Sequence, residues 1–137
     1  MKKFLLLLVL LSLPAFATIP IEVLEVYDGD TIKVKVNNGN EFLIRLQGID
    51  CYETSKINRA YKQAYLNKID IDEVIKKGNN TKTYLKNLHK NSNTASFDFM
   101  GVDIYGRVLG IVYFDDLNIN KELLKNNVCI PYEFNER

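Results

Sequence analysis

Residues 26–36 read VYDGDTIKVKV, with two carboxylates, Asp28 and Asp30, on either side of Gly29. The runs before and after this segment alternate apolar and polar side chains and are rich in β-branched residues. An Asp-Gly pair between two such runs is a strong short-range signal for a β-hairpin. The stretch therefore predicts a hairpin with strands over residues 21–26 and 31–36, which begins a small β-domain.

Three further segments have strand character, and turn signals separate them. Asn38 and Gly39 form a second turn signal, so a third strand over residues 41–49 continues the hairpin into a meander. Residues 95–100 and 108–114 supply the fourth and fifth predicted strands.

The middle of the chain has helical spacing instead. Residues 56–68 place apolar side chains on one predicted face, with lysines and an arginine outside it. Asp70 is a candidate N-cap for a short helix that ends at Gly78, and a third helical segment follows to about residue 91.

A last short helix is expected over residues 121–126, capped by Asn118 or Asn120. Five strands with three to four short helices give an α+β pattern that is typical of an OB-type β-barrel. At 137 residues the chain has room for one such domain.

Residues 1–17, MKKFLLLLVLLSLPAFA, have the organisation of a secretory signal peptide. Two lysines precede an apolar run, and a small-x-small sequence ends it. A membrane anchor is the alternative, but the run is shorter than the roughly 20 residues that a spanning helix needs, and Pro14 interrupts it. We therefore expect a mature chain of residues 18–137, exported to a periplasm or to the medium and not held in a membrane.

The mature chain is almost neutral, since removal of the leader leaves 16 basic residues against 17 acidic ones. A protein that holds nucleic acid through bulk charge is usually strongly basic. Contact with a polyanion would therefore have to come from locally placed groups, and net charge neither supports nor excludes such a partner.

The chain has two cysteines, Cys51 and Cys129. Oxidising conditions outside the cytosol favour their pairing, so an exported chain predicts a disulfide between them. Zinc is a poor alternative, because two cysteines and the single His89 do not make a conventional zinc site without carboxylate ligands.

The alternation of side chains along the strand indicates a role for Asp30 beyond the turn. It shares its strand face with the apolar side chains that follow it, so it ends the core-facing row at the mouth of the predicted barrel. Arg45 lies in the third predicted strand and Asp50 directly follows it with opposite parity, so the two converge only where the chain bends. Gly48 allows such a bend, as a bulge.

If Asp30 and Asp50 meet, their oxygen atoms, a backbone carbonyl and water would suit Ca²⁺ better than a softer metal. Two close carboxylates need a divalent cation or an arginine nearby, because they would otherwise repel each other. The alternative is that Arg45 supplies an ordinary ion pair to one of the acids. The residues alone leave both interpretations open.

The candidate residues fall in three motifs that occur in a defined order. They are Asp28-Gly29-Asp30-Thr31; Ile44-Arg45-Leu46 with Ile49-Asp50 and Glu53-Thr54; and Asp103-Ile104-Tyr105-Gly106-Arg107. Each motif is weak by itself, but the three in this order and spacing resemble the thermonuclease family, the staphylococcal-nuclease-like phosphodiesterases. The resemblance covers nearly all of the mature chain and implies an SNase-like OB fold.

The resemblance also implies roles for individual residues. Asp30, Asp50 and the backbone carbonyl of Cys51 would be the Ca²⁺ ligands, and Glu53 would orient or deprotonate the attacking water. The remaining implied residues are two phosphate-binding arginines, Arg45 and Arg107, and two tyrosines that would contact the nucleotide, Tyr105 and Tyr132. The alternative for Tyr132 is a structural tyrosine at the edge of the barrel that does not contact the nucleotide.

The chain departs from the family pattern beside the predicted metal ligands. Tyr52 stands where the family usually has proline, so a fixed φ is lost from this loop. A disulfide at Cys51 would restore rigidity there. The segment over residues 55–78 is also longer than in the type member, and Ile104 replaces a lysine.

The resemblance, together with the predicted signal peptide, therefore implies an exported, monomeric, Ca²⁺-dependent nuclease that cleaves DNA and RNA and leaves 3′-phosphate ends. The alternative is a non-catalytic OB module that binds nucleic acid or a protein. Such modules typically lose an acid or an arginine from the site, whereas this chain retains all five residues: Asp30, Arg45, Asp50, Glu53 and Arg107.

Overall fold

The structure, a computed structural model, describes residues 18–133. The predicted signal peptide lies outside the described residues. Within them the strands are β1 (Ile19–Pro20), β2 (Glu22–Asp28), β3 (Thr31–Lys35), β4 (Glu41–Leu46), β5 (Ile49–Cys51), β6 (Ala95–Val102), β7 (Val108–Phe114), β8 (Leu117–Asn118) and β9 (Cys129–Pro131). The helices are α1 (Asn58–Asn67), α2 (Ile71–Lys90) and α3 (Ile119–Lys125). Among residues 18–133, none of these helices has both the length and the apolar character that crossing a bilayer requires.

The strands form a curved mixed sheet of OB type. Its order is β1-β6-β7-β4-β3-β2, with β8 beside β7, and β5 pairs with β9 in a separate two-stranded sheet. Among the strand pairs within residues 18–133, β4 and β7 are the one parallel pair. Because β1 and β2 are separated by Ile21 alone yet lie at opposite ends of the order, the sheet curves until its two edges are neighbours. The predicted α+β OB-type fold is confirmed: the five longest strands correspond to the five predicted ones.

The hairpin of β2 and β3 supplies the first part of the core. Its turn follows Asp28, and Ile32 and Val34 on β3 are fully buried. Because β3 pairs with both β2 and β4, it is an internal strand of the sheet, and these side chains belong to the hydrophobic core. Burial of each stabilises the fold by about 2 kcal/mol.

The third predicted strand is interrupted in the structure. It ends at Leu46, the chain turns at Gly48 with φ at 81°, and β5 then enters the second sheet. Glycine adopts this left-handed conformation at little cost. The bend expected at Gly48 is therefore present, but as a turn between two sheets and not as a bulge within one strand.

The apolar face predicted for the first helix is wrong. Tyr61 and Tyr65 on α1 are 53% and 84% exposed, whereas Ala60 and Gln63 are buried. Among the described residues, α2 and the loop after β5 cover a narrow stripe of α1, and the larger apolar side chains of α1 lie outside this stripe.

The two helices predicted on either side of Gly78 are one helix, α2, so the predicted stop at this glycine is also wrong. Asp70 caps α2 as expected, because its Oδ1 accepts a hydrogen bond from the Glu73 N–H at 2.9 Å. Gly78 is buried inside the helix, and a Cβ there would lie 2.1 Å from the carbonyl oxygen of Glu53. The glycine thus permits close approach of two backbones.

The two asparagines proposed as caps of the last helix have different positions. Asn118 caps α3 and accepts from the Lys121 N–H at 3.0 Å. Asn120 is buried, and its carboxamide bonds to backbone groups of Val112, Gln47 and Gly110. It therefore joins α3 to β7 and to the chain after β4.

Replacement of Gly78 by alanine tests the close approach. Glycine to alanine inside a helix ordinarily stabilises by about 0.5–1 kcal/mol. Here we expect Gly78→Ala to lower the free energy of unfolding by about 1–3 kcal/mol, since the new methyl group overlaps backbone atoms of Glu53. Urea unfolding measures the change.

Asn80→Ala is the matched control, because Asn80 is exposed on the same helix. Alanine should be neutral or slightly stabilising at this position. A Gly78→Ala variant as stable as the Asn80→Ala variant would contradict the packing argument.

Candidate active site

The two aspartates of the hairpin motif, Asp28 and Asp30, have different structural roles. Asp28 Oδ1 accepts a hydrogen bond from the Asp30 N–H at 3.1 Å, which shapes the turn. Asp30 is 6% exposed, and its carbonyl accepts from the Leu46 N–H at 2.8 Å. The carboxylate of Asp30 is therefore held inside the protein at the start of β3.

Gly29 is required by packing and not by an unusual turn conformation. Its φ is not in the left-handed region that the Asp-Gly signal suggests. A Cβ at Gly29 would lie 2.4 Å from Cγ2 of Thr81 on α2 and 3.0 Å from Cβ of Cys51. The turn thus packs closely against both α2 and β5.

Arg45 links the two aspartates of the predicted metal site. Its side chain is 2% exposed, and Nη1 donates to the Leu46 carbonyl at 2.9 Å. Nη2 lies 3.3 Å from Asp30 Oδ2 and 3.5 Å from Asp50 Oδ1. The turn at Gly48 brings Asp50 back towards Arg45, so the structure places all three side chains together.

Cys51 connects β5 to this group and to β9. Its N–H donates to Asp30 Oδ2 at 2.8 Å. Cys51 and Cys129 are register partners in the two-stranded sheet, and they form the predicted disulfide with a Cα–Cα distance of 4.4 Å. The strand that carries Asp50 is therefore tethered to a segment 78 residues away.

Arg59 is a second arginine beside these acids, and the sequence-based prediction missed it. It lies in the first turn of α1, where Nε is 3.2 Å from Glu53 Oε1 and Nη2 contacts Asp50 Oδ1. Arg59 thus joins Glu53 to the group formed by Asp30, Arg45 and Asp50.

Gln63 was also missed. It is one turn after Arg59 on α1 and is 8% exposed. Its Oε1 accepts from the Glu53 N–H at 2.9 Å, and its Nε2 donates to the Cys51 carbonyl at 3.0 Å. One sequence signal could have identified both residues: Arg59 and Gln63 are polar side chains with i, i+4 spacing on a predicted helix directly after the loop that carries Glu53.

Burial disfavours ionisation of the acids in this group. It raises the pKa of Asp30 from 3.8 to about 6, although Arg45 opposes the shift. Burial also raises the pKa of Glu53, and the negative charge of Asp30 adds to this effect while Arg59 opposes it. The positive charges present thus compensate these carboxylates only in part.

The pKa of the Arg59 guanidinium changes in the opposite sense to that expected from burial. Burial alone would lower it, but Asp50, Asp30 and Glu53 together raise it. Arg59 therefore stays fully protonated beside the acids.

Arg107 lies in the turn between β6 and β7. Its Nε is 2.7 Å from Asp103 Oδ2, and its guanidinium is 5.6 Å from the ring of Tyr105. Among residues 18–133, its ion-pair partner is Asp103 and not a carboxylate of the site. The structure therefore does not bring Arg107 into contact with the buried acids.

The two predicted nucleotide-binding tyrosines are accessible. Tyr105 is 78% exposed beside Arg107. Tyr132 is 42% exposed, and its backbone N–H donates to the Gly48 carbonyl at 2.9 Å, next to the turn that brings Asp50 towards Arg45.

The oxygen donors of the site fit a hard divalent cation. In the described part of the chain no three His, Cys, Asp or Glu side chains stand together as a complete ligand set. Asp30, Asp50 and the Cys51 carbonyl would supply three oxygen atoms, with water completing the coordination that Ca²⁺ accepts. The raised pKa of Asp30 fits an added cation, which would favour its ionised form. Arg59 would share Asp50 with such a cation or move from it.

The chain is similar to an uncharacterized protein, MJ1439, of Methanocaldococcus jannaschii. The two are 35% identical, over 81% of this chain and 58% of that protein. The chain thus spans less than two thirds of the length of this relative.

Residues 43–137 match the sequence profile of a family described as staphylococcal nuclease homologue. The match includes Arg45, Asp50, Glu53 and Arg107, and it begins after the hairpin motif that carries Asp30. More than half of the chain lies within the matched segment, and the chain therefore belongs to the staphylococcal nuclease family.

Proposed function

We propose that this protein is a Ca²⁺-dependent nuclease that hydrolyses phosphodiester bonds of DNA and RNA. Family membership supports a nuclease with a nucleic-acid substrate. The observation that carries the proposal is the linked group of Asp30, Arg45, Asp50 and Glu53, because a degenerate binding module has no need to bury these charges.

The metal would be held by Asp30, Asp50 and the Cys51 carbonyl. When bound, Ca²⁺ would supply positive charge to a non-bridging phosphate oxygen. Asp30 is buried and the side chain of Asp50 is only 11% exposed, so water screens their charges poorly, which favours a doubly charged partner over a sodium ion.

Glu53 would accept a hydrogen bond or a proton from the attacking water. Burial raises the pKa of Glu53, so its carboxylate is a stronger base than an exposed glutamate. The water oxygen bonds to phosphorus, and the bond between phosphorus and the 5′ oxygen breaks. The 5′ oxygen takes a proton from solvent, and Glu53 returns the proton of the attacking water to solvent. The products are a 3′-phosphate and a 5′-hydroxyl end.

The arginines would bind the charge that develops on the phosphate oxygens. Arg45 is already fixed among the acids. Arg107 uses Nε for Asp103, and a guanidinium has four further N–H donors for a phosphate. Tyr105 and Tyr132 would contact the nucleotide from the exposed side.

Export and a monomeric state belong to the same proposal. The leader sequence over residues 1–17 and the Cys51–Cys129 disulfide support transport to a periplasm or to the medium. A non-catalytic OB module is the alternative function, and the activity assay below decides between the two.

A nuclease assay on the mature chain tests the function directly. With Ca²⁺ the protein should cleave single-stranded DNA and RNA, and a chelator should abolish the cleavage. Glu53→Gln should lower kcat by about 10²–10⁴-fold, since it removes the group that activates water.

Glu41→Gln is the matched control, because it makes the same change at an exposed position on β4. Its activity should equal that of the natural sequence. Absence of Ca²⁺-dependent cleavage of either nucleic acid would overturn the proposed function.

The pH dependence of stability tests the buried acid. Because the pKa of Asp30 is raised in the folded protein, the protonated Asp30 side chain stabilises the fold fully below about pH 4. This stabilisation is lost as the pH rises through 6. Asp30→Asn cannot ionise and avoids this loss. Without metal, we expect the stability of the variant relative to the natural sequence to increase by up to about 3 kcal/mol between pH 4 and pH 8.

Urea unfolding at the two pH values in the presence of a chelator measures this difference. Saturating Ca²⁺ at pH 8 should reverse the advantage, since it stabilises the sequence that retains the carboxylate. An advantage of Asp30→Asn that is the same at pH 4 and pH 8 would show that ionisation of Asp30 is not its cause.

Removal of the disulfide tests its proposed role in the metal loop. Replacement of both Cys51 and Cys129 by alanine should lower the free energy of unfolding by about 4 kcal/mol and weaken Ca²⁺ binding, since β5 carries Asp50 and the Cys51 carbonyl. Calorimetric titration at a temperature where the variant is folded measures the affinity. An unchanged Ca²⁺ affinity would argue against this role.

A further inference from the structure

Helix α1 sends one buried carboxamide into the loop that follows β5. Gln63 Nε2 donates to the Cys51 carbonyl at 3.0 Å, and Gln63 Oε1 accepts from the Glu53 N–H at 2.9 Å. One side chain therefore binds the backbone on both sides of Tyr52. At 8% exposure, Gln63 makes these bonds away from bulk solvent.

The two bonds determine the orientation of this short segment. A primary amide offers a donor and an acceptor side by side, as a neighbouring β-strand would. β5 ends at Cys51, where its pairing with β9 also stops, so Gln63 takes over as a partner for the next backbone groups. With both ends bonded, the peptide groups around Tyr52 have little freedom to rotate.

Other contacts of the loop fix its position but not the directions of these groups. The disulfide holds Cys51 through its side chain, and Gly78 of α2 packs against the backbone of Tyr52 and Glu53. The Glu53 carboxylate meets Arg59, which lies on the same helix as Gln63. α1 thus holds Glu53 at both its backbone and its side chain.

We propose that Gln63 is a positioning residue for the reaction, which directs the Cys51 carbonyl towards the cation and sets the path of the Glu53 side chain towards water. This inference rests on the proposed function. It assigns a role to α1 that family membership does not supply, and it predicts that loss of the carboxamide affects cation binding and turnover together.

The test compares two buried carboxamides of the same protein. Gln63→Met keeps the shape of the side chain and removes both bonds. Asn120→Leu is the matched control, since Asn120 is 5% exposed and bonds to backbone groups of Val112, Gln47 and Gly110. A purely structural role for Gln63 would make the two variants alike.

The first readout is Ca²⁺ affinity, measured by calorimetry without substrate. The second is kcat and KM on a DNA oligonucleotide at saturating Ca²⁺. Both are measured at a temperature where both variants are folded. Gln63→Met should weaken Ca²⁺ binding about tenfold and lower kcat about 10–100-fold, with KM changed less than threefold. Asn120→Leu should change neither Ca²⁺ affinity nor kcat by more than about twofold.

Gln63→Asn is the second variant if Gln63→Met does not fold. It keeps the carboxamide but is one methylene shorter, so it cannot reach both backbone groups, and it should lose affinity and kcat in the same direction. A variant at Gln63 that folds and matches Asn120→Leu in both readouts, while the natural sequence binds Ca²⁺ and cleaves, overturns this inference alone. A natural sequence that neither binds Ca²⁺ nor cleaves overturns the proposed function and this inference with it.

Discussion

The buried guanidinium of Arg45 is the constraint on which the site depends. A charge that is 2% exposed is costly unless charged partners and hydrogen-bond acceptors surround it. Asp30, Asp50 and the Leu46 carbonyl meet this requirement, and they come from the hairpin turn, from β5 and from β4 itself. The fold therefore has to bring the motif of Asp30 to the motif of Arg45 and Asp50. An arrangement that left the buried guanidinium without these carboxylates would be unfavourable.

The same requirement explains the close packing around the motifs. Gly29 lies against Thr81 of α2 and against Cys51, and Gly78 lies against the backbone of Glu53. Neither glycine serves the purpose that its local sequence suggests, namely a left-handed turn residue at 29 and a helix stop at 78. Both instead let α2 approach the two segments that carry the acids, and the disulfide lies beside α2 at Gly29.

Helix α1 gives the site features beyond the three motifs. Arg59 adds a positive charge that contacts Asp50 and Glu53, and Gln63 binds the backbone on either side of Tyr52. These contacts reach the loop in which this chain has tyrosine where the family usually has proline. We propose that the hydrogen bonds of Gln63 and the disulfide supply the rigidity that proline would provide through one fixed dihedral angle.

The alternating runs around Asp28 and Asp30, the Asn-Gly turn and the β-branched segments determined the five long strands, because strand pairing and face follow from a period of two residues. The chain also carried the motif residues and a cysteine pair that an oxidising compartment would join. Tertiary structure alone decided that the chain leaves the sheet at Gly48, that α2 continues through Gly78, and that α1 buries Gln63 in place of its tyrosines. Each of these depends on contact between segments distant in sequence. Local sequence patterns predict which residues can face a core, but they do not predict which distant backbone groups or charges those residues will contact.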